Sequence, residues 1–445
     1  MPASPNALTG ECRWRRNALA APRRRPVGLW RERPARTDRL EANRLNPAND
    51  SPARSVGLFT IGGIALLAAG AVAIGLVAAR HRTEAVRGDN AVGDGACLSC
   101  HQQKASFELT AHRLTSRLPT RASILGSFSH GENALRTMNP NLYFRMDSTA
   151  TGFYEIAVMG RAPDTSVIAQ RIAYVTGLRK GQSYLYWVGD QLYQLPVSYW
   201  RGTGWANSPG YQDGRPNFER PIPPRCLECH ATWFQSVADP SVINRYRPAG
   251  ALLGITCETC HGSGRDHVTR ERSLLRALLP RAIVNPTRLP RAQQLDGCAL
   301  CHGGTAPLRT AAFSYVPGQP LEKRFDLTTA PDTGEIDVHG NQVALLERSR
   351  CFRSSQMTCA TCHDVHRQQR DTVALSGRCL TCHTVQNCGL FPQHGHELIG
   401  RCVDCHMPLL TSTTVISIYL GHRLRPQVRT HWIKVYPQPP RFWMR

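Results

Sequence analysis

The chain has 445 residues, 17 of them cysteine, a formal charge of +22 and 41% hydrophobic residues. That length holds two or three ordinary domains, and 36 glycines with 31 prolines point to a loop-rich fold. The basic excess invites a nucleic-acid role, but it is unevenly placed. Residues 1–55 carry 12 arginines against 5 acids, residues 56–79 carry no charge, and +15 remains for residues 80–445.

In chain order, residues 1–55 read as a basic, disordered tail. Residues 56–79 are uncharged and rich in Ala, Gly, Leu and Ile, a run long enough to span a bilayer. The arginines before it hold the tail in the cytoplasm by the positive-inside rule and export the rest of the chain. A cleaved signal peptide competes with this reading, because Val77, Ala78 and Ala79 satisfy a small-residue cleavage rule. The apolar run exceeds a usual signal core, which favours an uncleaved transmembrane anchor.

From residue 97 onward one pentapeptide, Cys-x-x-Cys-His, recurs seven times and takes 14 of the 17 cysteines. The copies are Cys97, Cys100 and His101; Cys226, Cys229 and His230; Cys257, Cys260 and His261; Cys298, Cys301 and His302; Cys359, Cys362 and His363; Cys379, Cys382 and His383; and Cys402, Cys405 and His406. Two cysteines at i and i+3 share one face of a helical turn, so both thiols can add to the vinyl groups of one porphyrin. The next residue then offers its imidazole to the iron. Zinc is the competing use of paired cysteines, but zinc does not require a histidine at the next position, present in all seven copies. The expected cofactor is haem c, seven copies covalently attached. Their propionates bring about −14, which nearly cancels the +15 of residues 80–445 and gives arginines anionic partners. Nucleic acid is therefore not an expected partner. Bacterial c-type haem is attached outside the cytoplasm, which agrees with a single-pass protein of the cytoplasmic membrane whose haem domain is periplasmic.

Residues 92–140 form the first haem segment. Residues 141–225 form a haem-free insert, in which 153–159, 172–175, 183–188 and 191–197 are aromatic and β-branched runs. Gly189-Asp190 and Lys180-Gly181 suit hairpin turns between them, so the insert is expected to be a small antiparallel β-meander. Residues 226–445 hold the other six motifs, with helical periodicity at 270–279 and 342–350. Residues 407–445 carry no motif and are expected to pack back over the haems. The expected fold class is mainly α with long loops wrapped around a haem cluster, with the β insert and an N-terminal transmembrane helix.

Ten histidines lie outside the motifs: His81, His112, His130, His267, His339, His366, His394, His396, His422 and His431. His81 adjoins the apolar run, leaving nine for seven irons, enough for two imidazoles at every haem. His363 and His366 leave one helical turn in nearly the same direction, so His366 is expected to reach a neighbouring haem, and His267 after His261 invites the same reading. Met138, Met146, Met159, Met357 and Met407 are the alternative axial ligands. Of the leftover cysteines, Cys12 lies in the tail. Cys351 and Cys388 are expected to form a disulfide in an oxidising compartment, the alternative being two buried, inert thiols.

Three segments resemble the cytochrome c554 type of multihaem protein. They are Gly254-Ile255-Thr256-Cys257-Glu258-Thr259-Cys260-His261-Gly262-Ser263-Gly264 with His267, Met357-Thr358-Cys359-Ala360-Thr361-Cys362-His363-Asp364-Val365-His366, and Cys402-Val403-Asp404-Cys405-His406-Met407-Pro408. The likeness runs over about residues 92–436, within a broader group that includes multihaem nitrite reductases and hydroxylamine oxidoreductases. It implies an exported electron carrier with haems in stacked and perpendicular pairs. It also implies distal ligands at His112, His130, His267, His339, His366, His394 and His431, with His396 and His422 as substitutes. Two departures bear on catalysis. The Cys-x-x-Cys-Lys motif of the nitrite reductases does not occur, and the cross-linked tyrosine of the hydroxylamine oxidoreductases has tyrosines to stand for it, for example Tyr419 and Tyr436, but a cross-link is not written in a sequence.

The expected function is a heptahaem cytochrome carrying electrons from a membrane donor to a periplasmic acceptor. Its partners would be redox proteins or the quinone pool, and the membrane through the N-terminal helix. The alternative is an oxidoreductase acting on a small nitrogen or sulfur compound at a five-coordinate haem. Intact-mass spectrometry of the mature polypeptide should show the added mass of seven macrocycles, and a blank pyridine haemochrome assay would remove the basis of this reading.

Overall fold

The computed structural model describes residues 84–437, apart from 240, 280, 305 and 328–340. About 27% of the described residues are helical and 25% are strand, which corrects the expectation of a mainly α protein. The expected transmembrane helix is corrected too. No helix among the described residues is long and apolar enough to cross a membrane, and the apolar run at 56–79 lies outside them. The physical reason is length. A long helix here, Arg291–His302, has 12 residues and measures about 18 Å at the α-helical rise, well short of a bilayer core of about 30 Å. The expected single-pass membrane assignment therefore has no helix among the described residues to carry it.

Two antiparallel sheets dominate the first half. Strands β1 (Ser116–Arg117), β6 (Tyr174–Thr176), β7 (Gly181–Val188), β8 (Gln191–Gln194) and β11 (Arg220–Pro221) form one path, with β9 (Val197–Trp200) on β7 and β10 (Gly204–Asn207) on β9. The other sheet is β2 (Ala134–Arg136), β3 (Leu142–Thr149), β4 (Gly152–Arg161) and β5 (Asp164–Arg171). Period-2 alternation places Leu142, Phe144 and Met146 inward on β3 and Tyr143 outward. These side chains meet Tyr184, Tyr186, Val197 and Trp205 from the larger sheet in one core. Met146 and Met159 are spent on this core, so neither is placed as an iron ligand. Gly126 lies so close to Trp205 that a Cβ there would come within 2.1 Å of the indole. Strands β7 and β8 pair Val188 with Gln191 across a two-residue turn, and Gly189 opens that turn at φ +61°, a conformation glycine adopts without strain.

The other face of the larger sheet leads to the second motif. Tyr174, Leu185 and Leu192 pack with Leu227, which lies inside that motif, and with Phe234 and Tyr246. The last two come from a hairpin that the sequence pattern does not announce, β12 (Ala231–Ser236) with β13 (Tyr246–Leu253). Beyond it the chain is short helices and turns. The helix expected at 270–279 runs instead over Arg265–Arg272; Leu274, Leu275 and Leu278 are exposed, so no apolar face holds a longer one. The one expected at 342–350 stops at Glu347. After the last motif the chain makes two more strand pairs, β14 (Leu409–Thr411) with β17 (Gln427–Arg429) and β15 (Ser417–Tyr419) with β16 (His422–Leu424). This segment touches both halves: the Gly210 amide donates to Ile416 O at 3.1 Å, and the Lys434 amide to His406 O at 3.3 Å.

Glu155 lies fully buried in the β core. Its Oε1 accepts the Val197 amide at 2.8 Å, while its Oε2 has no partner. Burial drives its carboxyl well above the usual carboxylate range, so the native state holds it protonated at pH values where the unfolded chain has released that proton. Its stabilisation is complete below the unfolded value and declines as pH rises toward the folded one. Glu155→Gln removes this dependence. Thermal unfolding should show the variant gaining on the parent between about pH 5 and about pH 8, and a pH-independent difference would contradict a protonated Glu155.

Candidate haem-attachment sites

Each motif is about one helical turn. The His101 amide donates to Cys97 O at 3.0 Å, the His363 amide to Cys359 O at 2.9 Å and the His383 amide to Cys379 O at 3.0 Å. Helices cover the third motif (Cys257–His261), the seventh (Cys402–His406) and the fourth, at the end of Arg291–His302.

Five motif histidines have Nδ1 engaged. His261 Nδ1 donates to Val284 O at 2.8 Å, His406 Nδ1 to Lys434 O at 2.9 Å, His302 Nδ1 to Gln342 Oε1 at 3.2 Å and His363 Nδ1 to Gln369 Oε1 at 3.3 Å. His230 Nδ1 shares a hydrogen bond with the Thr115 hydroxyl at 3.0 Å. Such a bond fixes the tautomer and leaves Nε2 for a metal.

Three histidine pairs face one another. The ring centroids of His112 and His302 are 6.1 Å apart, those of His261 and His366 6.2 Å, and those of His363 and His431 6.2 Å. Two imidazoles bound on opposite sides of one metal, each at about 2 Å, place their centroids about 6 Å apart. The spacing therefore fits one iron between the rings of each pair. Burial is the main cause that pushes His112 and His431 down to about 4, so both are neutral and able to ligate at pH 7. Among the described residues no group of three His, Cys, Asp or Glu side chains is arranged to hold a metal ion.

His366 thus faces His261 rather than His363. His267 lies near enough to His101 and His261 to be lowered by their charge, after burial. It lines a cavity of about 720 Å³ together with Arg270, Arg276, Arg281 and Arg288, a cationic wall suited to a macrocycle bearing carboxylates. His394 is half-buried at the end of Phe391–His394. His396 is exposed, its ring 5.4 Å from that of Phe391. His130 is exposed in the turn before β2, and His422 is exposed on β16. His339 and His81 lie outside the described residues. Cys351 forms no disulfide, which corrects the expected Cys351–Cys388 bond.

Sequence reasoning missed the carboxylates inside three of the motifs and just before the first. Glu258 accepts the amides of Val92, Gly93 and Gly264 at 2.8–3.2 Å. Asp94 accepts the Cys257 amide at 2.9 Å and pairs with Arg113 at 2.6 Å. Glu228 pairs with Arg324 at 2.8 Å, each side chain 3% exposed, and also accepts the Phe313 amide at 2.9 Å. Asp404 pairs with Arg429 at 3.0 Å. An acidic residue between the two cysteines was the available signal.

Residues 209–262, which hold the second and third motifs, match the family model described as cytochrome c554 and c-prime. Over 171 residues the chain is 25% identical to the C-type polyheme cytochrome OmcC of Geobacter sulfurreducens, a match covering 33% of this chain and 20% of that protein. The chain thus spans about a fifth of that curated relative's length. The undecaheme cytochrome from the S-layer of Carboxydothermus ferrireducens is similar over 67% of this chain and 44% of its own, at 16% identity and a TM-score of 0.35, a likeness too slight to argue from. The repeated motif and the first two matches point the same way, to proteins with covalently bound haem. The chain is thus similar to multihaem c-type cytochromes, whose cofactor is haem c.

Arg324→Met leaves the buried Glu228 carboxylate with Arg225 at 3.2 Å as its remaining guanidinium, so the loss should stay below the roughly 3–5 kcal/mol of a fully broken buried pair. The melting temperature should fall clearly, and adding Glu228→Gln should restore part of the loss. A double variant no more stable than Arg324→Met alone would show that the pair is not the source of the effect.

Proposed function

We propose that this chain is an exported heptahaem cytochrome that takes electrons from a membrane-associated donor, a redox protein or a quinone, and passes them to an external acceptor. The 14 motif cysteines are its attachment points and the seven motif histidines its proximal ligands. His366, His112 and His431 are the distal ligands at the third, fourth and fifth sites, and His267 at the first. His130, His339 and His394 are held for the remaining sites.

The observation that carries this reading is the set of facing histidine pairs at 6.1–6.2 Å. Haem c supplies a one-electron ferric–ferrous couple when bound. The protein's part is to hold both imidazoles neutral and aligned before metal arrives. The Nδ1 bonds to Val284 O, Gln342 and Gln369 set the proximal rings, and burial keeps His112 and His431 uncharged. An iron closed by two imidazoles has no face for a substrate, so these three sites favour carriage of electrons over catalysis. The oxidoreductase alternative needs an open iron at another site.

Electron paramagnetic resonance of the ferric holoprotein tests the reading. Low-spin signals should dominate, and His112→Ala, His366→Ala and His431→Ala should each convert one haem, about one-seventh of the total, to high spin. Unchanged low-spin intensity in all three variants would reject the ligand assignment. A large high-spin fraction in the parent that binds carbon monoxide on reduction would favour the oxidoreductase.

A further inference from the structure

We propose that His112 and His302 hold the fourth iron between crossed imidazoles, while the pairs at the third and fifth sites hold theirs between nearly parallel ones, so that of these three sites the fourth accepts an electron first. This rests on the ligand assignment above.

The angle between ring planes is 79° for His112 with His302, 28° for His261 with His366 and 34° for His363 with His431. When both rings bind one iron, each plane contains the nitrogen–iron–nitrogen axis. The angle between the planes is then the twist about that axis. The centroid separations are almost equal, at 6.1 Å, 6.2 Å and 6.2 Å, so twist rather than spacing sets the fourth pair apart.

Bonds outside the pairs hold the rings in these attitudes. At the fourth site His302 Nδ1 donates to Gln342 Oε1 at 3.2 Å, and Gln342 opens the short helix Gln342–Glu347. His112 sits in the turn before β1. There the Ile255 amide donates to His112 O at 3.0 Å, and the next residue, Arg113, pairs with Asp94 at 2.6 Å and donates to Leu253 O at 3.2 Å. The other distal rings come from other segments. Ser106 Oγ donates to His366 O at 2.8 Å, and the His366 amide to Asp364 Oδ1 at 3.1 Å. Ser349 Oγ donates to His431 O at 3.2 Å and accepts the Ile433 amide at 2.8 Å. Each distal backbone is pinned by its own partners, so the three angles are set separately.

The twist matters because low-spin ferric iron has one vacancy in a pair of π-type d orbitals. Each imidazole raises the orbital perpendicular to its own plane. Parallel rings raise the same orbital, the vacancy settles there, and the ferric state is stabilised. Crossed rings raise one orbital each, the pair stays nearly degenerate, and that stabilisation is lost. Ferrous iron fills both orbitals and is indifferent to the angle. Ligand type is the same at all three sites, so ligand orientation is the lever that differs. An electron shared among them comes to rest on the fourth, a ferrous third or fifth iron turning ferric as the fourth turns ferrous. Near degeneracy also leaves a spectral mark, a large principal g value in place of a rhombic signal.

Electron paramagnetic resonance of the full holoprotein, poised at stepped potentials with one-electron mediators, tests this. In difference spectra His112→Ala should remove a low-spin component of large principal g value, about one-seventh of the total. His366→Ala and His431→Ala should each remove a rhombic one. In the parent, the component lost in His112→Ala should vanish before the other two as the potential is lowered. If none of the three variants converts a haem to high spin, the ligand assignment itself falls. Conversion in all three with components of one shape would overturn the crossed geometry and leave the assignment standing. Reduction of the third or fifth component ahead of the fourth would overturn the order of uptake. Gln342→Ala keeps both histidines and frees the proximal ring, so the large-g component should move toward a rhombic shape with no gain in high spin. Gln342→Glu, which keeps an acceptor in place, should restore it. An unchanged shape in Gln342→Ala would show that Gln342 does not hold the ring.

Discussion

A single helical turn cannot hold itself up. Fixing one turn costs more conformational entropy than its few hydrogen bonds return, and each of the seven motifs is about one turn long. The structure depends on side chains that clamp these turns from outside. Glu258 is the clearest case. Almost fully buried, it has no cation in hydrogen-bonding contact and is held by backbone amides from two segments. A buried carboxylate is tolerable only when hydrogen-bonded in this way. Glu228 with Arg324 and Asp404 with Arg429 do the same work by charge.

These clamps stand in for a conventional core. The β half has one, with Phe144, Met146, Tyr184 and Trp205 at its centre. The motif-bearing half has small apolar clusters instead, such as Leu300, Tyr315, Leu321 and Phe325 around the fourth motif. A porphyrin is a large apolar body, so segments that wrap several of them need less aliphatic interior of their own. The β half then serves as a rigid wall. It buries Leu227 within the second motif, and Thr115, just before β1, holds the ring of His230.

Strand content was legible where side chains alternate and hidden where they do not. The runs around 153–159 and 183–188 alternate or are aromatic and β-branched, and both are strands. Strand β13 has a burial pattern with four exposed residues in succession, and the C-terminal strands have three residues each. Pairing rather than pattern makes these strands, so the fold read as more helical than it is. The leftover cysteines misled for a related reason: two spare thiols suggest a bond, but packing does not join Cys351 to Cys388.

The sequence alone determined the attachment chemistry, because two thiols and an imidazole within five residues are a local arrangement that one turn of backbone sets. It also determined that His366 could not share an iron with His363, since residues three apart point the same way. That His366 faces His261, that His112 faces His302 and that His431 faces His363 was decided by tertiary structure. So was the joint between the first and third motifs. Partners far apart in the chain carry no spacing rule; only packing brings them within reach of one metal or one another.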